Sequence, residues 1–285
     1  MSSYRFCRSD DVPLLVQAYN ACYRVHFAGL PEMRIEEFKL AIRQLDIWTS
    51  SCMVAMLDDA PIGVLLAAKR ETQSLIHSVG VVAAYQRREH GRHLLASLSQ
   101  KLGILGPPRM VSEIPAKWSS ACAFMEACGY RREDRFIDFE HPGGGNGNSP
   151  ASELLIPVSL DELVTNDAFE CRGTRCWQRS PESLIARKSE LAGLAVASDR
   201  RIEAFLLYHD RTDGVAREIM AFDCADADRR EVWLELLFRR VCADADRPVR
   251  IARAGEGEIS FGLLHSWGFR PGVETMLYAA DAAAG

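Results

Sequence analysis

Along the first half of the chain, short β-branched runs alternate with longer segments whose apolar residues recur every three to four positions. That alternation of periods predicts strands interleaved with amphipathic helices. Tyr4 to Arg8 reads as a strand, and Ser9-Asp10-Asp11 caps a helix that runs to about Arg24. A second helix spans about Arg34 to Leu45. Cys52 to Leu57 and Pro61 to Lys69, joined by Asp58-Asp59-Ala60, form a hairpin, and Ser74 to Val82 follows as a third strand. A helix from Arg87 to Leu102, a strand from Arg109 to Glu113, a short helix from Ser119 to Cys128 and a strand from Arg131 to Glu140 complete the half. Gly129 ends the short helix because the left-handed cap favours a residue without Cβ.

The same order returns in the second half. Strands are expected at Leu155 to Val158, Leu194 to Ala197, Arg201 to His209, Val215 to Asp223, Val249 to Ala252 and Glu274 to Ala279. Helices are expected from Asp161, near Ser180 to Leu191, from Arg229 to Cys242 and from Ile259 to Trp267. Asp59 and Asp199, Ile62 and Ile202, and Leu94 and Leu234 each stand 140 residues apart, and Gly129-Tyr130-Arg131 matches Gly268-Phe269-Arg270 at 139. One offset that survives across turn, strand and helix points to a tandem duplication. Between the halves, His141-Pro142-Gly143-Gly144-Gly145-Asn146-Gly147-Asn148-Ser149-Pro150 reads as a linker. The expected boundaries are therefore a first domain over 1–140, a linker over 141–151 and a second domain over 152–285.

Composition adds limits. A chain of 285 residues that is 48% hydrophobic and 26% charged builds real cores. A net charge of −5 argues against nucleic acid as a partner, since basic residues dominate only around positions 87 to 92. No apolar run reaches membrane-spanning length and the first residues lack a secretory pattern, so a cytoplasmic protein without a membrane partner is expected. Nine cysteines are scattered without a C-x-x-C pair; Cys171 and Cys176 stand apart from other ligands, and no metal site is expected.

The stretch from Val79 to Leu95 carries the most chemistry. A β-branched strand ends in Gln86-Arg87-Arg88-Glu89-His90-Gly91-Arg92, and a helix with Leu94 and Leu95 on its inner face begins there. Orphan amides and the positive dipole at a helix N-terminus bind pyrophosphate, and nearby arginines add paired charge. The stretch resembles motif A of the GNAT superfamily of acyl-CoA-dependent N-acyltransferases, which reads Q/R-x-x-G-x-G/A after a strand. Gln86 and Gly91 fill the first and last positions, while Glu89 stands where the first glycine is expected. The order βααβββαβαβ agrees with this resemblance. It implies an α/β fold of two tandem GNAT-like domains, each a mixed twisted sheet with helices on both faces.

The resemblance further implies that acetyl-CoA, or another acyl-CoA, is the co-substrate, held by Val79, Gly80 and Val81 along the strand and by Gln86, Arg87, Arg88, Glu89, His90, Gly91 and Arg92 at the turn. Glu89 opposes this by charge and by its Cβ. Gly80 is read as a bulge that splays its strand from the next. The equivalent turn of the second half, Asp226 to Glu231, has no glycine and three carboxylates, so the second domain is expected to be a degenerate copy without a catalytic site.

Transfer of an acyl group to an amine needs a base and benefits from an acid. Many family members place a tyrosine acid four residues before the glycine-aromatic turn, and Met125 stands there, as Leu264 does in the second half. The candidate bases are His77, which strict alternation puts on the face of Val79 and Val81, and Glu113 at the end of the next strand. Tyr23, His26, Phe27 and Trp118 are candidates to contact the acceptor, and Tyr130 to line a pocket. The expected activity is acyl transfer from acyl-CoA to a primary amine of a small molecule, with homodimerisation left open. The alternative is a GNAT-fold module that binds CoA or a protein without turnover.

Overall fold

A computed structural model describes residues 2–23, 31–144, 155–169, 173–211 and 213–282. His26 and Phe27 lie outside the described residues, as does most of the expected linker. The described residues form two compact units, Met1–Asp134 with Met276–Gly285, and Arg135–Thr275.

The first unit carries β1 (Ser3–Phe6), α1 (Val12–Tyr23), α2 (Ile35–Leu45), β2 (Met53–Leu57), β3 (Ala60–Lys69), β4 (Gln73–Val81), α3 (His90–Leu105), β5 (Arg109–Pro115) and α4 (Ser119–Ala127). Strand β6 (Arg131–His141) follows. The second half of the chain repeats the order with β7 (Leu155–Pro157), α5 (Leu160–Thr165), α6 (Pro181–Ala186), β8 (Ala192–Ala197), β9 (Ile202–Asp210), β10 (Arg217–Cys224), α7 (Arg230–Ala243), β11 (Val249–Gly255), α8 (Phe261–Ser266) and β12 (Arg270–Asp281). The fold is thus the expected mixed α/β arrangement, repeated.

In the first unit the strand order is β1-β2-β3-β4-β5-β12, and in the second it is β6-β11-β10-β9-β8-β7. The first unit therefore takes its sixth strand from the end of the chain. In the second unit β6 lies antiparallel to β11, with Phe139 opposite Ile251 and Glu140 opposite Arg250. This differs from two halves each closed by its own last strand. Both closing strands alternate in the same way and follow the same glycine-aromatic turn, so local pattern does not distinguish an own strand from an exchanged one.

Helix α3 buries Leu94, Leu95, Leu98 and Leu102 against Leu65, Ala67 and Ile76, joined by Met276 and Tyr278 of β12. Helix α1 lies across β3 and β4. A Cβ on Gly80 would come within 2.8 Å of Tyr23 and 3.0 Å of Cys22, both of α1, whereas neighbouring Val79 packs in the α3-side cluster. Successive strand residues point to opposite faces, so α1 and α3 cover opposite sides of β4. In the second unit α7 buries Leu234, Leu237, Phe238 and Val241 on one face, and Leu163 and Leu184 of α5 and α6 cover the other.

The least ordinary feature of the second core is electrostatic. Arg179, its side chain 1% exposed, forms a forked ion pair with the fully buried Glu258, at 2.5 and 2.9 Å. Arg175 lies 3.0 Å from the same carboxylate. Removing one partner of a buried pair leaves a desolvated charge, at a cost of about 3–5 kcal/mol. Glu258→Met strands two guanidiniums, whereas Arg179→Met leaves Arg175 facing Glu258. We expect Glu258→Met to lower the urea midpoint more than Arg179→Met. Equal midpoints for the two variants would contradict this order.

Candidate active site

Strand β4 is the frame of the site. It pairs in parallel with β5 only through Gln73, Ser74 and Leu75, opposite Arg109, Met110 and Val111. Ser112 Oγ donates to the Ile76 carbonyl at 3.1 Å and closes the apex, beyond which the two strands part. On its other side β4 stays paired with β3, where Gly80 lies opposite Val64 and the Val82 amide donates to the Ile62 carbonyl at 2.9 Å. Backbone groups alternate in direction along an antiparallel strand. The carbonyls of Val79 and Val81 therefore face away from β3, into the wedge.

Both carbonyls are met by side chains. The Tyr23 hydroxyl donates to Val79 at 2.9 Å, and Gln86 Nε2 donates to Val81 at 2.9 Å. Gly80 makes the first contact feasible, because the Tyr23 ring occupies the space where a Cβ would stand. The bulge is not at Gly80, as the sequence suggested, but at His77. Ser78 lies opposite Leu66 and Ile76 opposite Ala67, leaving His77 as the extra residue. Ile76 and Val79 both enter the α3-side cluster, so His77 and Ser78 between them turn to the α1 face. Strict alternation had put His77 with Val79 and Val81; the added residue reverses the parity. His77 Nδ1 and Ser78 Oγ share a hydrogen bond of 2.9 Å, and Ser78 is bonded in turn to the Tyr23 hydroxyl. Burial pushes the pKa of that hydroxyl up, so it stays protonated.

After β4 the chain makes one 3₁₀ turn, Ala83–Tyr85, and reaches α3 through two residues with positive φ, Arg87 at 61° and Glu89 at 65°. Glu89 is the N-cap of α3 and makes no side-chain capping bond. Its carboxylate instead pairs with Arg92 Nε at 3.1 Å. The glycine expected at 89 would take this φ without strain. Arg87 and Arg88 are exposed, and Arg88 lies over the Tyr85 ring at 5.7 Å. At Gly91 a Cβ would meet the Phe124 ring at 3.1 Å, so this glycine brings α3 close to α4. His90 turns inward, with Nδ1 at 2.5 Å from the Tyr4 hydroxyl, and His93 packs on the Tyr4 ring at 3.9 Å.

The remaining candidates are spread around the wedge. Glu113 lies on β5 beyond the paired segment, on the opposite face from Met110 and Ile114. Trp118 is partly exposed at the N-cap of α4. Met125 is fully buried in the α3-side core, and Tyr130, expected at a pocket, is also buried there with its hydroxyl 3.7 Å from Met110 Sδ. Ser78 was not singled out from sequence, although its place beside His77 was a signal. Among the described residues there is no cluster of three or more side chains suited to a metal ion, and no helix is long and apolar enough to cross a membrane.

The corresponding wedge of the second unit is filled. Strand β10 pairs in parallel with β11 only at Arg217 and Glu218, and its bulge falls at Met220, five residues before Ala225, whose amide donates to Glu203. In β4 the bulge at His77 likewise falls five residues before Val82, so Phe222 corresponds to Val79 and Asp223 to Gly80. Arg179 Nε donates to the Met220 carbonyl at 3.1 Å, and its Nη1 reaches Ala252 of β11 at 3.5 Å. Arg175 Nη2 donates to Phe222 at 3.1 Å. Glu258 completes the plug. The Asp223 carboxylate pairs with Arg230 in the first turn of α7, where the first unit has Gly80 with the Tyr23 ring seated on it.

In its basic turn, its helix N-terminus and its open strand edge, the first unit fits a ligand with a pyrophosphate and an amide-bearing arm. Glu89 is the one element that opposes the fit, and Arg92 offsets its charge.

Residues 13–130 match the acetyltransferase (GNAT) family. No curated protein sequence matches the chain. Among solved structures, the GCN5-related N-acetyltransferase from Sphaerobacter thermophilus is similar over 100% of this chain and 96% of its own, at 16% identity and a TM-score of 0.69. A tandem GNAT protein from the clavulanic acid biosynthesis pathway is similar over 100% of both chains, at 14% identity and a TM-score of 0.65. A putative acetyltransferase from Pyrococcus horikoshii is similar over 99% of this chain and 90% of its own, at 16% identity and a TM-score of 0.62. At these identities the likeness is one of fold. The chain therefore carries a domain of the acetyltransferase (GNAT) family over residues 13–130, within the fold of a tandem GNAT protein.

Proposed function

We propose that the first unit transfers an acetyl or related acyl group from acyl-CoA to the primary amine of a small molecule in the cytoplasm, and that the second unit has no catalytic site. The observation that carries this reading is the unpaired edge of β4, which runs from the N-terminus of α3 to the apex at Ile76. A pyrophosphate at the first-turn amides of α3, flanked by Arg87 and Arg88, directs an attached arm along that edge. The backbone of Val79 and Val81 then pairs with the arm as an added strand would. The thioester arrives near His77, Ser78 and Tyr23, and the acceptor amine enters beside Glu113 and Trp118.

A second reading, a CoA-binding module without turnover, is favoured by Met125, an apolar core residue where a tyrosine acid is expected. The two separate in one assay. Incubation with acetyl-CoA and a panel of small primary amines is expected to release free CoA thiol, measured colorimetrically. Thermal stabilisation by acetyl-CoA with no thiol release from any amine would establish the binding module instead.

Glu89 tests the cofactor end. A left-handed conformation costs a non-glycine residue roughly 1–2 kcal/mol, and a carboxylate near pyrophosphate adds repulsion. Glu89→Gly is expected to raise the melting temperature and to tighten acetyl-CoA binding about threefold to tenfold, equivalent to roughly 0.7–1.4 kcal/mol. Glu89→Gln keeps the backbone strain and gains only the electrostatic part. Unchanged or weaker binding by the glycine variant in a calorimetric titration would contradict this account.

A further inference from the structure

We propose that His77, Ser78 and Tyr23 form a proton relay that serves the acyl-transfer reaction proposed above, on which this inference rests. The hydrogen bond to Val79 fixes its direction at the Tyr23 end. The Val79 carbonyl only accepts, so the Tyr23 hydroxyl donates to it. Ser78 is bonded to both Tyr23 and His77 Nδ1, and the relay assigns its hydroxyl as donor to Tyr23 and His77 Nδ1 as donor to Ser78. In that order Nε2 is the His77 nitrogen assigned to take up a proton. One end of the chain accepts a proton and the other end donates one.

Placement suits the task. The bulge turns His77 and Ser78 to the same face of β4, and it is this face that α1 covers. Gly80 admits the Tyr23 ring so that its hydroxyl reaches the in-plane carbonyl of Val79 inside the wedge. Position 125, where a tyrosine acid would otherwise stand, is occupied by a buried methionine. The phenol of Tyr23 is thus a protonated donor on the edge along which the thioester is proposed to lie. Burial favours its neutral form, which keeps it able to donate across the neutral pH range.

The step balances. The amine nitrogen attacks the thioester carbonyl and gives its proton to His77 Nε2 while the new C–N bond forms. As the C–S bond breaks, the Tyr23 proton passes to the departing thiolate sulfur. Ser78 reprotonates Tyr23, and His77 reprotonates Ser78 from Nδ1, which leaves the ring proton on Nε2; exchange with solvent water returns it to Nδ1 and resets the relay for the next turnover. No further reactant is consumed.

Three variants and a change of leaving group test the relay. Tyr23→Phe retains the ring seated on Gly80 and removes only the hydroxyl. Loss of a positioned proton donor typically costs about 10²-fold in rate or more. Tyr23→Phe and Ser78→Ala are therefore each expected to lower kcat with acetyl-CoA by about 10²-fold, with KM for acetyl-CoA within about twofold of the wild type. Ser78→Thr, which keeps the hydroxyl, is expected to restore most of the rate. With the acetyl thioester of 4-nitrothiophenol, whose thiolate leaves without a proton, the Tyr23→Phe defect is expected to shrink to a few fold. Rates within twofold of the wild type, or an equal defect with both thioesters, would overturn the relay while leaving the acyltransferase reading intact. Absence of thiol release by the wild-type protein would overturn both.

Discussion

A strand that parts from its neighbour leaves backbone carbonyls pointing into the gap, and such groups must find partners. Both units meet this constraint in the same region, at or just beyond a bulge. In the first unit the partners are the Tyr23 hydroxyl and the Gln86 amide, two neutral groups on Val79 and Val81. In the second they are the guanidiniums of Arg179 and Arg175, tied to Glu258. A carbonyl has two lone pairs, and a neutral side chain is displaced or shared at small cost. A buried ion pair is not, since freeing either member exposes an uncompensated charge. The different partners account for why one wedge is suited to a ligand and the other belongs to a core.

Around the open wedge, each unusual residue has a mechanical reason. Gly80 makes room for Tyr23, and Gly91 lets α3 approach Phe124. The extra residue at His77 turns a histidine and a serine toward the same face, from which a tyrosine reaches the strand edge. Arg87 and Glu89 hold left-handed conformations that compress the turn between β4 and α3. Glu89 then spends its charge on Arg92 rather than on capping the helix. The turn thus holds a glutamate at a backbone conformation that favours glycine.

Much of this was legible in the sequence because it is local. Alternation and helical periodicity located the elements, and the run from Val79 to Gly91 located the turn between β4 and α3. What escaped depends on partners far apart in the chain. The bulge is at His77 rather than Gly80 because its position is set by register against β3, which one strand's composition does not reveal. The reason for Gly80 is a ring 57 positions earlier in the sequence, at Tyr23. Arg179 and Glu258 stand 79 residues apart in segments with no motif, and nothing local marked them as a pair. The exchange of β6 and β12 was equally hidden, since either strand satisfies the pattern of either edge. Conversely, the carboxylates at Asp226 to Glu231 pointed to a second site without ligand, and the buried plug supplies a stronger physical cause than charge repulsion.

The most direct test of this account is the stoichiometry of acetyl-CoA binding, measured by isothermal titration calorimetry on the full chain. An open wedge in the first unit and a filled one in the second predict one molecule bound per chain. Two molecules per chain would show that the Arg179–Glu258 pair does not close the second wedge, and none would show that the first wedge is not a cofactor cleft.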